Sequence, residues 1–313
     1  MVQRILEPAE IESIDHVAIA RVRLPDRAEI FAARAARLRQ LAPGSAIGPY
    51  LLLMAHVADA QHAVAQSLDV PLPSHADIAR ATEHCMPLLD APDISLRGAD
   101  ALFAHIAAHA DAPELAAPIA RLQSVSADAR RAQLQALLGV ASTDNDVEVE
   151  ATLAPFLIAA LQLDRTVLAS QLHEKDVPML DVHTVCPVCG TPPVASIVRI
   201  GGRYQSLRYL HCGHCATEWH MVRVKCSHCE STEGISYYAV EGQGDALKAE
   251  ACEPCHHYRK ISYMEKDPLA EPLADDLASL ALDVMMGAAG FGRPNGNPLL
   301  WLADDDEVAA DER

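Results

Sequence analysis

The chain is poor in aromatic and basic residues. Phe, Trp and Tyr make up only 4% of its 313 residues, and 25 Lys and Arg stand against 43 Asp and Glu, a formal net charge of −18. Half of the residues are hydrophobic, which predicts a globular protein. A nucleic-acid surface needs a concentrated basic patch, so this balance argues against binding of DNA or RNA.

Long apolar runs and common catalytic motifs are also missing. No run of about 18 apolar residues occurs, so we expect no membrane insertion. Residues 1–8 lack the apolar segment of a signal peptide, which predicts a cytoplasmic protein. The sequence has no nucleophile elbow, P-loop or dinucleotide fingerprint, and we predict that the protein is not an enzyme.

Cysteine is scarce but strictly spaced. Eight of the nine cysteines form four Cys-x-x-Cys pairs. A shift of 40 residues carries the first two pairs onto the last two. The pairs are Cys186 and Cys189, Cys212 and Cys215, Cys226 and Cys229, and Cys252 and Cys255. Because two such pairs close a tetrahedral site, the repeat predicts two four-cysteine metal sites.

Alternatives to this interpretation concern the bonding of the sulfurs. Disulfides or dithiol switches would also use paired cysteines, but they are rare in a reducing cytosol. We expect local pairing, with one site in each copy, and spacing alone leaves a crossed pairing open. Thiolate ligands suit both zinc and mononuclear iron, so the ligands do not choose the metal.

Other residues near the cysteines are assigned lesser roles. We expect basic side chains to offset the negative charge of the sites: Arg199, Arg203, Arg208, Arg223 and Lys225. Histidines that border the pairs are expected to support the sites without binding metal: His211, His214, His228, His256 and His257. Trp219 should shield the first site, and the ninth cysteine, Cys85, should be a buried, inert thiol. Only the first pair is followed by glycine, so the second copy should hold its metal less tightly.

The first half of the chain has the apolar spacing of helices. Stripes such as Phe31, Ala35 and Leu38 recur every three or four residues. We predict helices after Pro49, near 99–110, 114–123 and 126–138, and over 147–172, where Pro155 must either kink the helix or mark its first turn. A further helix is predicted over 272–289.

Between residues 181 and 264 the pattern changes to short strands. In each copy two strands flank a glycine turn, Gly201-Gly202 in the first and Gly242-Gln243-Gly244 in the second. The fold class is therefore α+β: an all-α N-terminal domain, two tandem rubredoxin-like or zinc-ribbon β modules, and a C-terminal helix. The predicted domains are 1–178, 179–224, 225–266, a packing segment 267–301, and an acidic, disordered tail 302–313.

Several motifs together resemble one family, the formate dehydrogenase accessory proteins (FdhE). The most specific are Cys186-Pro-x-Cys-Gly, Arg208-x-Leu-x-Cys-x-x-Cys with Glu218-Trp219, and Cys252-x-x-Cys-x-x-Tyr258-x-Lys260. Weaker matches are Phe31-x-x-Arg34-Ala-x-Arg37, Tyr50 to Gln61, Gly290-Phe-Gly-Arg293 and Asn297-Pro-Leu-Leu. The similarity spans nearly the whole chain.

The resemblance implies an assembly factor for formate dehydrogenase. Its partner would be the catalytic subunit of that enzyme, and the eight paired cysteines would hold two mononuclear ions, with iron favoured and zinc the alternative. A homodimer is left open. Two other functions are retained as alternatives, a rubredoxin-type electron carrier and a zinc-ribbon module that binds nucleic acid or protein.

Overall fold

The N-terminal part of the protein is a bundle of helices, as the apolar spacing predicts. The computed structural model describes residues 19–89, 95–109, 112–139, 150–242 and 244–300. The helices are α1 (Ile30–Leu41), α2 (Gly48–Ala65), α3 (His75–Glu83), α4 (Ala99–His109), α5 (Pro113–Ser124), α6 (Ala127–Leu137) and α7 (Ala154–Ser170). The tail 302–313 lies outside the described residues.

Helix α7 is the centre of this bundle. Every residue from Ala154 to Ala169 is buried, so the helix has no solvent-facing side. Pro155 lies in its first turn, where the missing N–H costs no helical hydrogen bond. Of the two outcomes that the sequence allowed, this proline starts the helix and does not kink it.

Two helical details differ from the sequence prediction. Helix α3 was not predicted, although Ser74 and Asp77 form a capping box at its start. The helix predicted over 272–289 is two helices, α8 (Pro272–Ala278) and α9 (Leu280–Ala288). They separate at Ser279 because Lys260 Nζ binds the carbonyls of Asp276 and Ser279 at 2.8 and 3.1 Å, which draws these acceptors out of the helical pattern.

The two cysteine modules share one sheet of seven strands. The strands are β1 (Val22–Arg23), β2 (Pro193–Val198), β3 (Arg208–Cys212), β4 (Glu218–His220), β5 (Ile235–Tyr238), β6 (Leu247–Cys252) and β7 (His257–Tyr263), in the order β1-β4-β3-β2-β7-β6-β5. Each module contributes an antiparallel three-stranded unit. Parallel pairing of β2 with β7, with Ser196 opposite Ile261, joins the units into one body.

Strand β1 is an addition that the sequence analysis missed. Val22 pairs with Trp219 and Arg23 with Glu218, so this short segment lies at the outer edge of β4. The repeat makes β4 equivalent to β7, and the outer edge of β7 pairs with β2. A two-residue strand has too short a pattern to be recognised from sequence.

Buried ion pairs connect the first helix of the bundle to the C-terminal helices. Arg34 pairs with Glu271 at 3.1 Å, and Arg37 pairs with Asp275 at 2.5 Å. All four side chains are less than a tenth exposed. Removal of one partner would leave an uncompensated buried charge, so these pairs fix α1 against α8.

No helix among the described residues is both long and apolar enough to cross a membrane.

Candidate metal centres

The eight paired cysteines come together as two groups of four sulfurs. The first group is Cys186, Cys189, Cys212 and Cys215, and the second is Cys226, Cys229, Cys252 and Cys255. Within each group the sulfurs lie within 4.8 Å of one another. The grouping is local to each module and not crossed between modules. The role of these residues as metal ligands stays a prediction.

The sulfur spacings suit a tetrahedral ion. In the first group Sγ of Cys189 and Sγ of Cys212 are 3.4 Å apart, and those of Cys186 and Cys215 are 3.6 Å apart. The corresponding distances in the second group are 3.6 and 3.7 Å. A metal–sulfur bond of about 2.3 Å places tetrahedral sulfurs about 3.8 Å apart. These separations are well beyond the length of a disulfide bond, and none of the eight cysteines is disulfide-bonded.

Burial gives a second reason why these sulfurs fit a cation. Burial raises the pKa of the Cys186 and Cys212 thiols well above the ordinary value. Four thiolates packed together in the interior would repel one another and lose their hydration. A bound divalent or trivalent ion would remove this cost, since it neutralises most of the charge and deprotonates its ligands.

Each pair of cysteines is followed directly by a residue with a left-handed backbone conformation. The φ angles are 71° at Gly190, 56° at Ala216, 61° at Glu230 and 53° at His256. The N–H of each donates to the carbonyl of the first cysteine of its pair, at 2.9–3.2 Å. Three of the four are not glycine and carry a strain of about 1 kcal/mol each. The turn geometry is therefore common to both modules, with or without a glycine.

In two of the four cysteine pairs, backbone N–H groups point at a sulfur. These are the second pair of the first module and the first pair of the second module. His214 N and Cys215 N both lie 3.4 Å from Sγ of Cys212. His228 N and Cys229 N lie 3.4 and 3.5 Å from Sγ of Cys226. Such donors stabilise a negatively charged sulfur and so favour the metal-binding thiolate form.

The two groups differ in exposure. All four cysteines of the first group are buried, and the most exposed of them, Cys189, is 2% exposed. In the second group Cys229 is exposed and Cys255 is intermediate, while Cys226 and Cys252 are buried. Solvent therefore reaches the second group and not the first.

The first group is enclosed by the helical part of the protein. Leu88 N donates to Pro187 O at 3.1 Å and Leu89 N donates to Val188 O at 2.8 Å, so the segment after α3 binds the turn of the first cysteine pair. At the second pair of this group Gln162 Nε2, from α7, donates to the carbonyl of Gly213 at 2.6 Å. Both turns of this group are thus fixed by residues outside the module.

A buried polar chain also reaches the first group from α7. Arg165 Nη1 lies 3.2 Å from Nδ1 of His214, and Thr191 Oγ1 lies 3.0 Å from the same nitrogen. A guanidinium can only donate, so Nδ1 is the acceptor. Burial lowers the pKa of His214 to about 4, which keeps the ring neutral at neutral pH. Thr191 continues the chain to Sγ of Cys189, 3.4 Å away.

The basic residues expected to offset the thiolate charge bind other partners. Arg208 pairs with Glu250 at 2.6 Å, Lys225 with Glu230 at 2.5 Å, Arg203 with Glu174, and Arg199 with Glu218. Arg223 donates to the carbonyl of Ser206 at 2.8 Å. These partners are carboxylates and a backbone carbonyl, and the expectation that the five side chains offset the thiolate charge stays a prediction.

Arg199 has a further effect on the first module. Burial alone would raise the pKa of Glu218, but the charge of Arg199, the bond with His211 and the charge of Arg23 lower it below its usual range. Glu218 is therefore a buried carboxylate, and it forms an ion pair with Arg199.

The cation beside the second group is Arg259, which the sequence analysis did not single out. Its Nε donates to Oγ of Ser227 at 2.7 Å, and its Nη1 donates to the carbonyl of Pro193. Burial, with Arg293 and Arg208 nearby, lowers its pKa to about 9, so it is charged at neutral pH. The 40-residue shift places Trp219 at the equivalent position, and no repeat signal therefore marks Arg259. Arg165 was missed because it lies far away in sequence, on α7.

The remaining expectations have mixed outcomes. Trp219 is 4% exposed and packs in the same core as the first group, as predicted, and its Nε1 donates to His183 O at 2.7 Å. None of the bordering histidines belongs to either sulfur group. The expectation that Cys85 is buried is wrong, since it is exposed and has a φ of 50° just after α3.

Comparisons with known proteins agree over nearly the whole chain. Family models described as FdhE, N-terminal, FdhE, central domain, and FdhE, C-terminal domain match residues 19–181, 185–223 and 224–300. An FdhE homolog of Cronobacter sakazakii is 40% identical over 283 residues, which covers 88% of this chain and 90% of that protein. One of Pseudomonas aeruginosa is 39% identical over 312 residues, or 96% and 98%.

A solved structure has the same fold. The crystal structure of the FdhE protein from Pseudomonas aeruginosa superposes with a TM-score of 0.78 at 37% sequence identity, over 90% of this chain and 98% of that chain. The resemblance read from the motifs is confirmed. The chain belongs to the FdhE family.

Proposed function

We propose that this member of the FdhE family is an accessory factor in the maturation of formate dehydrogenase and that it docks on the catalytic subunit through its metal-binding modules. The observation that carries the proposal is the family match to all three parts of the chain. The modules at 179–224 and 225–266 present the features most specific to the family, the four Cys-x-x-Cys pairs.

We assign one mononuclear metal ion to each four-cysteine group. Four protein ligands close a tetrahedral site and leave no position for a substrate or a reactive water. This arrangement favours an accessory role over hydrolytic catalysis. Iron, favoured by the family resemblance, would supply one-electron chemistry when bound, and zinc would supply none.

The shared sheet supports a docking role for the two modules together. Pairing of β2 with β7 makes them one rigid surface, and Lys260 and Tyr258 of β7 fasten that surface to Asp283 of α9, both at 2.6 Å. Backbone hydrogen bonds therefore fix the position of one module relative to the other. A partner that binds one module meets the second module at a defined position.

Deletion of the gene tests the role in maturation. We expect formate dehydrogenase activity to be lost while the polypeptide of its catalytic subunit stays present, and the wild-type gene on a plasmid should restore activity. Normal formate dehydrogenase activity in the deletion strain would contradict the proposal.

An anaerobic pull-down tests the docking. Tagged wild-type protein from its own cells should recover the catalytic subunit of formate dehydrogenase, and the Cys212→Ala variant should not. The Cys85→Ala variant is the matched control, because Cys85 is exposed and belongs to neither sulfur group. Recovery by all three proteins would place the contact outside the metal modules, and recovery by none would remove the docking proposal.

A further inference from the structure

We propose that the second four-cysteine group is an exchange site, which thiols and chelators reach from solvent, and that the first group is a permanent structural centre. This inference rests on the proposed binding of one metal ion by each group and deepens the proposed function. It assigns ligand exchange with thiols, whether of a partner protein or free in solution, to the second module only.

Exposure of the cysteine residues is the first observation. Cys229 is exposed and Cys255 is intermediate, and they come from different pairs of the second group. Their equivalents under the repeat, Cys189 and Cys215, are 2% and 0% exposed. An attacking thiolate can approach a ligand of the second group without any movement of the fold, whereas the first group must first be uncovered.

The contacts that hold each group are the second observation. The first group is fixed by buried or backbone bonds from Leu88, Leu89 and Gln162, all of them in the helical part. At the exposed pair of the second group the tie is Glu230, which binds Lys225 Nζ at 2.5 Å and His183 N at 3.0 Å. The side chains of Lys225 and Glu230 are 21% and 30% exposed, and bonds between partly exposed groups contribute less to stability and open more readily than buried ones.

The proposed exchange is a substitution of ligands. With a metal ion bound, Cys229 would be the ligand that an incoming thiol replaces. The sulfur of that thiol would take the place of Sγ of Cys229, its proton would pass to the Cys229 thiolate, and no electron would be transferred. Arg259, buried beside Cys226, keeps that side of the group in place while the exposed side opens.

Zinc release from the full-length protein tests this asymmetry. The protein carries Cys85→Ser throughout, so that the exposed cysteine outside the groups does not react, and it is loaded with two equivalents of zinc. An excess of the chromogenic chelator 4-(2-pyridylazo)resorcinol is then added. We expect one equivalent to leave at least about tenfold faster than the other, because solvent access governs exchange.

Alkylation identifies which group is open. The same zinc-loaded protein is treated with N-ethylmaleimide, and the modified cysteines are mapped by peptide mass spectrometry over time. Cys229 should react first and Cys255 next, with Cys186, Cys189, Cys212 and Cys215 protected. This readout needs no ligand variant, so it does not depend on the folding of one.

Two results would overturn the inference. One is release of both equivalents in a single phase, and the other is earliest alkylation in the first group. Neither measurement involves formate dehydrogenase. Failure of the pull-down with asymmetric release would therefore remove the docking proposal alone, and symmetric release with a successful pull-down would remove this inference alone.

Discussion

Arg259 donates from Nε to Oγ of Ser227, at 2.7 Å, and Ser227 directly follows Cys226 in the chain. The arginine is 3% exposed, and among the described residues no carboxylate accepts a hydrogen bond from it. Burial lowers the pKa of Arg259, whereas the negative charges of Asp276 and of Cys226 raise it. A four-thiolate group with a bound ion would be net negative, so it would add to the counter-charge that Asp276 provides.

This relationship predicts that Arg259 supports the second metal centre. Arg259→Gln should weaken zinc binding at the second group by about 10–100-fold and leave the first group unchanged. Arg259→Lys should retain most of the affinity because it keeps the charge. Competitive chelator titration of the full-length protein measures both affinities.

A surface arginine provides the control for that prediction. Arg203 pairs with Glu174 at an exposed position, so Arg203→Gln should leave both zinc affinities unchanged. Equal zinc affinities in Arg259→Gln and the wild type would show that the thiolate charge is balanced elsewhere.

The two groups should differ in what their loss does to the rest of the protein. Cys186→Ala and Cys252→Ala should each retain one metal ion instead of two, as measured by elemental analysis. Only Cys186→Ala should also loosen the helical part, because Leu88 and Gln162 bind the turns of the first group. Hydrogen exchange of α7 amides reads this out. Two metal ions in either variant would refute the ligand assignment.

The residues with positive φ that follow the cysteine pairs give two predictions of opposite sign. Gly190→Ala should lower the free energy of unfolding by about 1–2 kcal/mol, because φ is 71° at that position. His256→Gly, at the exposed residue that follows the last pair and has a φ of 53°, should raise it by up to about 1 kcal/mol, since the strain removed exceeds the added freedom of the unfolded chain. Urea unfolding at fixed zinc activity measures both. Changes of the same sign would show that strain does not decide these positions.

Asp276 predicts a pH dependence of stability. Burial would raise its pKa, but the charges of Arg293 and Lys260 lower it below the ordinary value. Because the folded-state pKa is the lower one, the carboxylate stabilises the protein above the unfolded pKa of about 4, and this contribution is lost as the pH falls through the folded value. Asp276→Asn should therefore cost about 3–5 kcal/mol at pH 7 and progressively less below about pH 4.

Urea unfolding at pH 7 and at pH 3.5 checks this dependence. Asp245 is the control, because its pair with Lys248 is 3.5 Å long and its side chain is 73% exposed, so Asp245→Asn should change little at either pH. A cost for Asp276→Asn that grows on acidification would reverse the sign and contradict the prediction.

The sequence by itself predicted two four-cysteine groups and most of the elements, although local and crossed pairing both remained open. Two residues between cysteines place both thiols on one turn, and the 40-residue repeat requires that two such turns meet twice. Apolar spacing marked the helices of the bundle, because one buried face repeats every three to four residues. Strand positions in the modules followed from the same repeat and its glycine turns.

Only the tertiary structure decided how these parts are joined and how the two groups differ. Parallel pairing of β2 with β7, the edge strand β1 and the break at Ser279 all depend on residues distant in sequence. The position of Arg165 beside the first group and the exposure of Cys229 in the second group also depend on residues distant in sequence. Local spacing specifies which residues can bind a metal ion, but burial and counter-charge are properties of the packed chain.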